Sequence, residues 1–340
     1  MSLAVSMGTV VSAAAIGTAA TVPVRRFALW SRLTDRPGGH KAHQRPTPYL
    51  GGLAILIATL PPVAFLADDP AVRAVLLGAT ALALVGLIDD IRPLGPVPRL
   101  LAETLATLAV VLNGVRAPVT GTWLDIPLTT VWIVVVANSY NLLDNMDGVL
   151  GAVAVATGGM LAVVASVIGE YEAAIIPLAL AGACAGFLVH NWTPARIFMG
   201  DCGSLFIGFA IACSAVLLFD GPGDLGLAPA GLLLVTFVAT VDTCVVLVSR
   251  RKAGRSPFSG GTDHVTHRLR LLGLSVSHTA LALAAASALT CALACAVAAQ
   301  ALPPLLALAL AVGSGLVLVV LLQGVDAYPA ARPALQPSRR

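Results

Sequence analysis

The chain has 340 residues, 58% apolar and only 11% charged, with a mean hydropathy of +0.91 and a formal net charge of +3. Soluble proteins carry about 25% charged residues, so the composition excludes an ordinary soluble enzyme and assigns most of the chain to lipid. The net charge says little by itself; where the charges fall along the chain says more.

Backbone polar groups in lipid must be satisfied within helices or a closed barrel. The apolar runs here are long, rich in Ala, Leu and Val, and unalternating, which predicts helices of about 20 residues rather than barrel strands. Eleven spans are predicted in chain order, at about 2–22, 50–67, 71–89, 98–114, 128–143, 148–168, 172–190, 202–219, 227–249, 275–299 and 301–323. The fold expected is an all-α, polytopic membrane bundle. It forms one domain over residues 1–325, followed by a basic, Pro-rich cytoplasmic tail over 326–340.

The first run ends in small residues, as a signal peptide does, but no basic segment precedes it. Arg25, Arg26 and Arg32 follow it instead, which predicts a retained helix with its N-terminus outside. Threading the spans from that start puts eighteen of the twenty Lys and Arg on the cytoplasmic side, with only Arg73 and Arg116 outside. The six cysteines include no Cys-x-x-Cys pair, and no disulfide is expected.

On this topology the unusual polar clusters share one face of the membrane: 35–52, 87–103, 138–148, 190–204 and 249–273. Asp242 is the acid inside a span, where an ionisable group needs a cavity or a partner. Asp89 and Asp90 read either as solvated charges beside Arg92 or as part of a site. In NSYNLLDNMDG, Asn138, Asn141, Asp144 and Asp147 recur every three residues. Each step of three drifts by about 60° around an α-helix, so all four serve one pocket only if the helix tightens or unwinds near Gly148. In FMGDCGS, Gly200 and Gly203 flank Asp201, and the amides of the following helix suit either a cap or a phosphate.

Five carboxylates (Asp89, Asp90, Asp144, Asp147 and Asp201) converging at cytoplasmic helix ends would repel one another unless a cation joined them. Magnesium takes one or two carboxylates and completes its shell with water and phosphate oxygens. Lys41, Arg45, Arg92, Arg99, Arg196 and Arg268 are candidates for further phosphate oxygens. His264 and His267, three apart, suit a metal or a phosphate, or are a solvated or capping pair. The run Arg250, Arg251, Lys252 and Arg255 reads as a topology anchor at lipid headgroups.

TPYLGG, LIDD, NLLDNMDG, FMGDCGS, VDT and DHVTHRL, in that order, resemble the polyprenyl-phosphate N-acetylhexosamine-1-phosphate transferases, the MraY/WecA group, over roughly residues 30–275. The resemblance lies closer to the WecA-like GlcNAc-1-phosphate branch. It implies transfer of a sugar 1-phosphate from a UDP-sugar to undecaprenyl or decaprenyl phosphate for envelope polysaccharide synthesis. It also implies release of UMP, a requirement for Mg²⁺ with Mn²⁺ as a substitute, and a site on the cytoplasmic side of a bacterial plasma membrane.

By the same resemblance Asp89 deprotonates or orients the lipid phosphate, and Asp201 holds the metal with help from Asp90 or Asp144. Phe198 stacks on uracil, Asn191 matches the asparagine ten residues before the metal ligand, and Asn141, Asp144 and Asp147 contact metal or nucleotide. Asp89, Asp90, Asp144, His264 and His267 form the expected catalytic set. Asn141, Asp147, Asn191, Phe198, Lys41, Arg45, Arg99 and Arg268 form the substrate-binding set. The expected partners are the UDP-sugar, the lipid phosphate and the membrane, with no nucleic acid; a homodimer is left open.

The chain departs from the family pattern at three places. Arg99 and Glu103 stand where Lys and Gln are usual, Asn145 replaces Gly between the two aspartates, and Thr266 sits in a histidine slot. The last weighs against the alternative branch, a phospho-MurNAc-pentapeptide transferase. An ion-coupled transporter is the alternative of another class, but its acids should lie near the bilayer midplane.

Overall fold

The computed structural model describes residues 2–35, 47–220, 226–257 and 259–327. Lys41, Arg45 and the tail from residue 328 onward lie outside the described residues. Among those described, the chain forms helices α1 (Leu3–Trp30), α2 (Gly51–Leu66), α3 (Pro70–Ile91), α4 (Pro96–Leu112), α5 (Asp125–Leu143) and α6 (Val149–Ile168). These are followed by α7 (Ile175–Asn191), α8 (Gly200–Leu218), α9 (Leu227–Val235), α10 (Phe237–Lys252), α11 (Val265–Leu271), α12 (Val276–Ala298) and α13 (Pro304–Gln323). A short antiparallel ribbon pairs β1 (Thr34–Asp35) with β2 (Thr47–Pro48).

Every predicted run is helical, yet the spans divide by length and composition. Seven helices (α1, α3, α5, α6, α8, α12 and α13) are long and apolar enough to cross a membrane, and the bent pair α9–α10 brings the number to eight. Helices α2 and α7 are shorter apolar helices, and α4 is a 17-residue helix containing Arg99 and Glu103. The protein is thus an all-α, polytopic membrane protein with seven or eight clear spans. The first helix also runs past its expected end, through Pro23 and on to Trp30, so Arg25 and Arg26 ride on its last turns.

The run 227–249, expected as one helix, is corrected to two that meet at 75° around Thr236. Neither Pro nor Gly causes the break. The Thr236 hydroxyl donates to the Leu232 carbonyl at 2.8 Å, a bond that Thr59 and Thr80 also make within unbroken helices.

Helix α8 is the axis of the bundle. Every residue from Cys202 to Val216 is buried, and α2, α3, α5 and α6 all pack against it. Helices in lipid associate through close backbone approach at small residues. A Cβ on Gly52 would lie 2.0 Å from the Gly203 amide nitrogen, so α2 meets α8 backbone to backbone. That contact fixes the N-terminus of α8, and with it Asp201, among the ends of α3, α4 and α5. On the periphery α13 exposes Leu305, Leu310, Leu316 and Val320, a face suited to lipid.

Candidate active site

Asp89 and Asp90 end α3 and face different partners. Asp89 accepts from the Leu94 amide at 2.6 Å and from Arg99 at 2.9 Å. Asp90 accepts from the amides of Asp201 and Cys202 at 2.9 and 3.1 Å. Those are unsatisfied donors at the start of α8, where a carboxylate is also favoured by the helix dipole. Gly200, just before them, has φ +75°, and a Cβ there would lie 2.6 Å from the Asp90 carboxylate. Glycine is required there both for the left-handed backbone and for the space.

Arg99, in the first turn of α4, is the hub. One terminal nitrogen meets Asp89 Oδ2 at 2.9 Å and Asp201 Oδ2 at 2.8 Å. The other meets Asn141 Oδ1 at 2.9 Å, and Nε meets Glu103 Oε1 at 3.0 Å. Asn141 in turn donates to Asp201 Oδ1 and to Ser204 Oγ, each at 2.8 Å. Glu103 is fully buried and its second oxygen accepts from Asn138. Asn138 and Asn141 thus serve the same network from successive turns of α5.

Helix α5 stops at Leu143 and α6 begins at Val149, with Gly148 in the left-handed region at φ +72°. The sequence required such an interruption if Asp144 and Asp147 were to share a pocket with Asn141. Asp147 accepts from the Ala195 amide at 3.0 Å. Asn191 is buried; it accepts from the Gly148 amide at 3.1 Å and donates to the Ile197 carbonyl at 2.9 Å, bracing the two loops. Phe198 is half-buried, its backbone bonded to Pro48 and Gly51. Asp144 makes no side-chain hydrogen bond among the described residues. Burial, then the carboxylates of Asp201, Asp90 and Asp147, push its carboxyl up to about 7.

This is a set of carboxylates in excess of its one guanidinium. Among the described residues no three His, Cys, Asp or Glu are placed to hold a metal together, but a magnesium ion that keeps its waters and phosphates needs only one or two carboxylates. The donors suit that minimal arrangement. Asp201 is 34% exposed against 10% for Asp89, and Asp144 is the neighbour with no competing bond.

Several sequence-based assignments look different in three dimensions. Arg268 is buried, and its guanidinium donates to the carbonyls of Asp263, Leu322 and Val325 and to Ser249 Oγ. It joins α11 to the end of α13 instead of facing outward. Arg250, read as part of a headgroup anchor, is corrected to an interior residue. It is 2% exposed and pairs with fully buried Asp263 at 3.1 Å. Asp242 is fully buried, meeting His264 Nδ1 at 2.9 Å and the Val265 amide at 2.7 Å. These bonds hold His264 and Val265 against α10. His267 lies one turn on, its ring centroid 6.3 Å from that of His264. Burial, then His264, hold its pKa below the usual range. Between the histidines, Thr266 Oγ1 donates to Asn145 Oδ1 in the Asp144 loop, a bond that sequence reasoning missed.

A family model described as glycosyl transferase family 4 matches residues 72–219. A Streptomyces coelicolor protein with a glycosyltransferase name is 40% identical over 243 residues, 69% of this chain but only 57% of that relative. The decaprenyl-phosphate N-acetylglucosaminephosphotransferase of Mycobacterium tuberculosis is 32% identical over 304 residues, covering 78% of this chain and 75% of that protein. The phospho-N-acetylmuramoyl-pentapeptide-transferase of Moorella thermoacetica is 31% identical over 271 residues, covering 73% and 83%. With α3, α5 and α8 delivering their acids to one point and relatives matched along most of their length, the chain belongs to glycosyl transferase family 4, the MraY/WecA-type group.

Proposed function

We propose that the protein transfers GlcNAc 1-phosphate from UDP-GlcNAc to a polyprenyl phosphate, releasing UMP and leaving a lipid-linked pyrophosphoryl sugar. The observation that carries this reading is the Asp89–Arg99–Asp201–Asn141 network at one end of the bundle, with Asp144 beside it. The mycobacterial relative's name supplies the sugar and the lipid class. Phosphoryl transfer depends mainly on positioning and charge neutralisation, and this site offers both.

In this reading an oxygen of the lipid phosphate attacks the β-phosphorus, and the bond from that phosphorus to the bridging oxygen breaks as UMP leaves. A phosphate monoester has a second pKa near about 6, so the nucleophile is largely ionised already. Asp89 then orients it through Arg99 instead of removing a proton. Magnesium, or manganese in its place, would be held by Asp201 and Asp144 and would neutralise charge on the pyrophosphate. Asp90 holds the start of α8 in place. Asn141 aligns Asp201, Asp147 and Asn191 fix the loop around the nucleotide, and Phe198 offers a ring for uracil. Lys41 and Arg45 remain proposed phosphate contacts, and His264 and His267 remain proposed members of the catalytic set. Arg268 is left to its structural bonds.

The proposed topology keeps eleven membrane crossings with the N-terminus outside and the site facing the cytoplasm, where nucleotide sugars are found. The charge asymmetry of the sequence supports it. A transporter reading loses its best residue, since Asp242 is already engaged by His264 and Val265. The pentapeptide-transferase reading is favoured by the Moorella relative and opposed by Thr266.

The deciding experiment is UMP release by purified protein with Mg²⁺ and decaprenyl phosphate across UDP-GlcNAc, UDP-GalNAc and UDP-MurNAc-pentapeptide. Release from UDP-GlcNAc above the others supports the proposal. Release only from the pentapeptide substrate transfers the protein to the other branch, and a carrier releases none.

A further inference from the structure

The loop between α5 and α6 carries Asp144 and Asp147 and is tied at its far end by two bonds. These run from the Ala195 amide to Asp147 and from the Gly148 amide to Asn191. Its near end is held differently. The Asn145 amide donates to the Leu142 carbonyl at 2.8 Å, closing the last turn of α5, while its oxygen accepts from Thr266 Oγ1. Thr266 is fully buried and lies in the first turn of α11.

Seven residues are too few for a helix to stand on its own propensity, so α11 depends on its anchors. Asp242 holds its start, and Arg268 ties it to α13. Among the described residues the Asn145–Thr266 bond is the side-chain hydrogen bond joining α11 to the loop of Asp144.

We propose that Asn145 and Thr266 form a positioning latch that sets the Asp144 loop against the α11 histidines. Neither residue touches the reacting atoms; they act through Asp144. The inference rests on the transferase reading for its catalytic consequence, but not for the latch itself.

Two readouts keep the two apart. Thr266→Val keeps the shape and removes the hydroxyl, and Thr266→Ser restores the hydroxyl. The kcat of UMP release is expected to fall about tenfold or more in Thr266→Val, since small misplacements near a reacting centre cost up to about 10²-fold. The KM for the UDP-sugar should stay within about twofold, and Thr266→Ser should recover most of kcat. Asn145→Ala combined with Thr266→Val should lose little beyond the worse single variant, because the two act through one bond. By hydrogen exchange on the full-length protein in detergent, Thr266→Val should speed exchange at 144–148 and 265–271 and leave α8 unchanged. A Thr266→Val protein with wild-type kcat, or a double variant whose loss is the product of the singles, overturns the proposal. If wild-type protein releases no UMP from any UDP-sugar, the functional reading fails. Exchange then decides the latch, and unaltered exchange in Thr266→Val sinks it.

Discussion

A single guanidinium nitrogen of Arg99 lies 2.9 Å from Asp89 Oδ2 and 2.8 Å from Asp201 Oδ2, joining the end of α3 to the start of α8. Removing one partner of a buried charge network leaves the others uncompensated, at a cost of about 3–5 kcal/mol. Arg99→Ala is therefore expected to lower the melting temperature in detergent and to abolish UMP release. Arg99→Lys keeps the charge but cannot reproduce the planar fork, and fully buried Glu103 then loses its Nε partner. Adding Glu103→Gln to Arg99→Lys removes that orphaned charge and should recover stability and activity relative to Arg99→Lys alone. Losses that simply add in the double variant would count against the coupling.

Asp201 and Asp90 are adjacent in space but should fail in different ways. Asp90 accepts two amide bonds at the start of α8, so Asp90→Asn should cost about 1 kcal/mol of stability, the scale of a helix cap. Mg²⁺ is expected to raise the melting temperature of the wild type, and Asp90→Asn should leave that rise in place. Asp201→Asn should remove that rise and lower kcat by about 10²-fold or more, given that metal charge stabilisation amounts to several kcal/mol. An Mg²⁺ response that survives in Asp201→Asn and vanishes in Asp90→Asn would exchange the two roles.

Much of this was legible from residue types, because lipid constrains length and polarity so tightly. Every long apolar run became helical, and the described clusters at 87–103, 138–148 and 190–204 meet at one end of the bundle. The partners of the charges were not legible. Asp242 finds His264 and Arg268 finds Leu322, 22 and 54 residues away, and no periodicity encodes such distances. Arg250 looked like a headgroup anchor because a basic residue at a helix end has the same sequence signature whether it turns outward or inward. The break at Thr236 was hidden because neither Pro nor Gly marks it and threonine is ordinary within a helix. Arg99 was read as one phosphate contact among six; its place at the hub depends on α3, α4, α5 and α8 all packing as they do.

His267 supplies a pH prediction. Burial and the neighbouring His264 hold its folded pKa below the ordinary histidine value of about 6.5. As pH falls below about 6.5, the unfolded chain takes up a proton that the folded protein resists. The His267 contribution to stability therefore falls with falling pH in that window and is at full strength above it, while the raised Asp144 carboxyl contributes in the opposite direction. Melting in detergent between pH 5 and 7, taken as a range of about two units around the ordinary histidine value, should show wild type losing stability toward low pH relative to His267→Gln. An identical slope in the variant would assign the effect to other groups.

Gly52 gives the sharpest test of how the fold positions the site. An added Cβ would lie 2.0 Å from the Gly203 nitrogen and 2.4 Å from its Cα. Both are backbone atoms in the first turn of α8, so no rotamer change relieves the clash. Overpacking of this kind costs about 1–3 kcal/mol or more, and the relief available is to push α2 away from α8. That moves the amides held by Asp90 and the Asp201 carboxylate held by Arg99 and Asn141. Gly52→Ala should therefore lose UMP release even where enough protein folds to be purified, with kcat falling further than melting temperature would suggest. Gly8→Ala on α1, with nothing within 4 Å of its added Cβ, is the matched control and should be neutral in both. A Gly52→Ala protein with wild-type kcat would show that α8 does not depend on α2 for its register, and that Asp201 is placed by its hydrogen bonds alone.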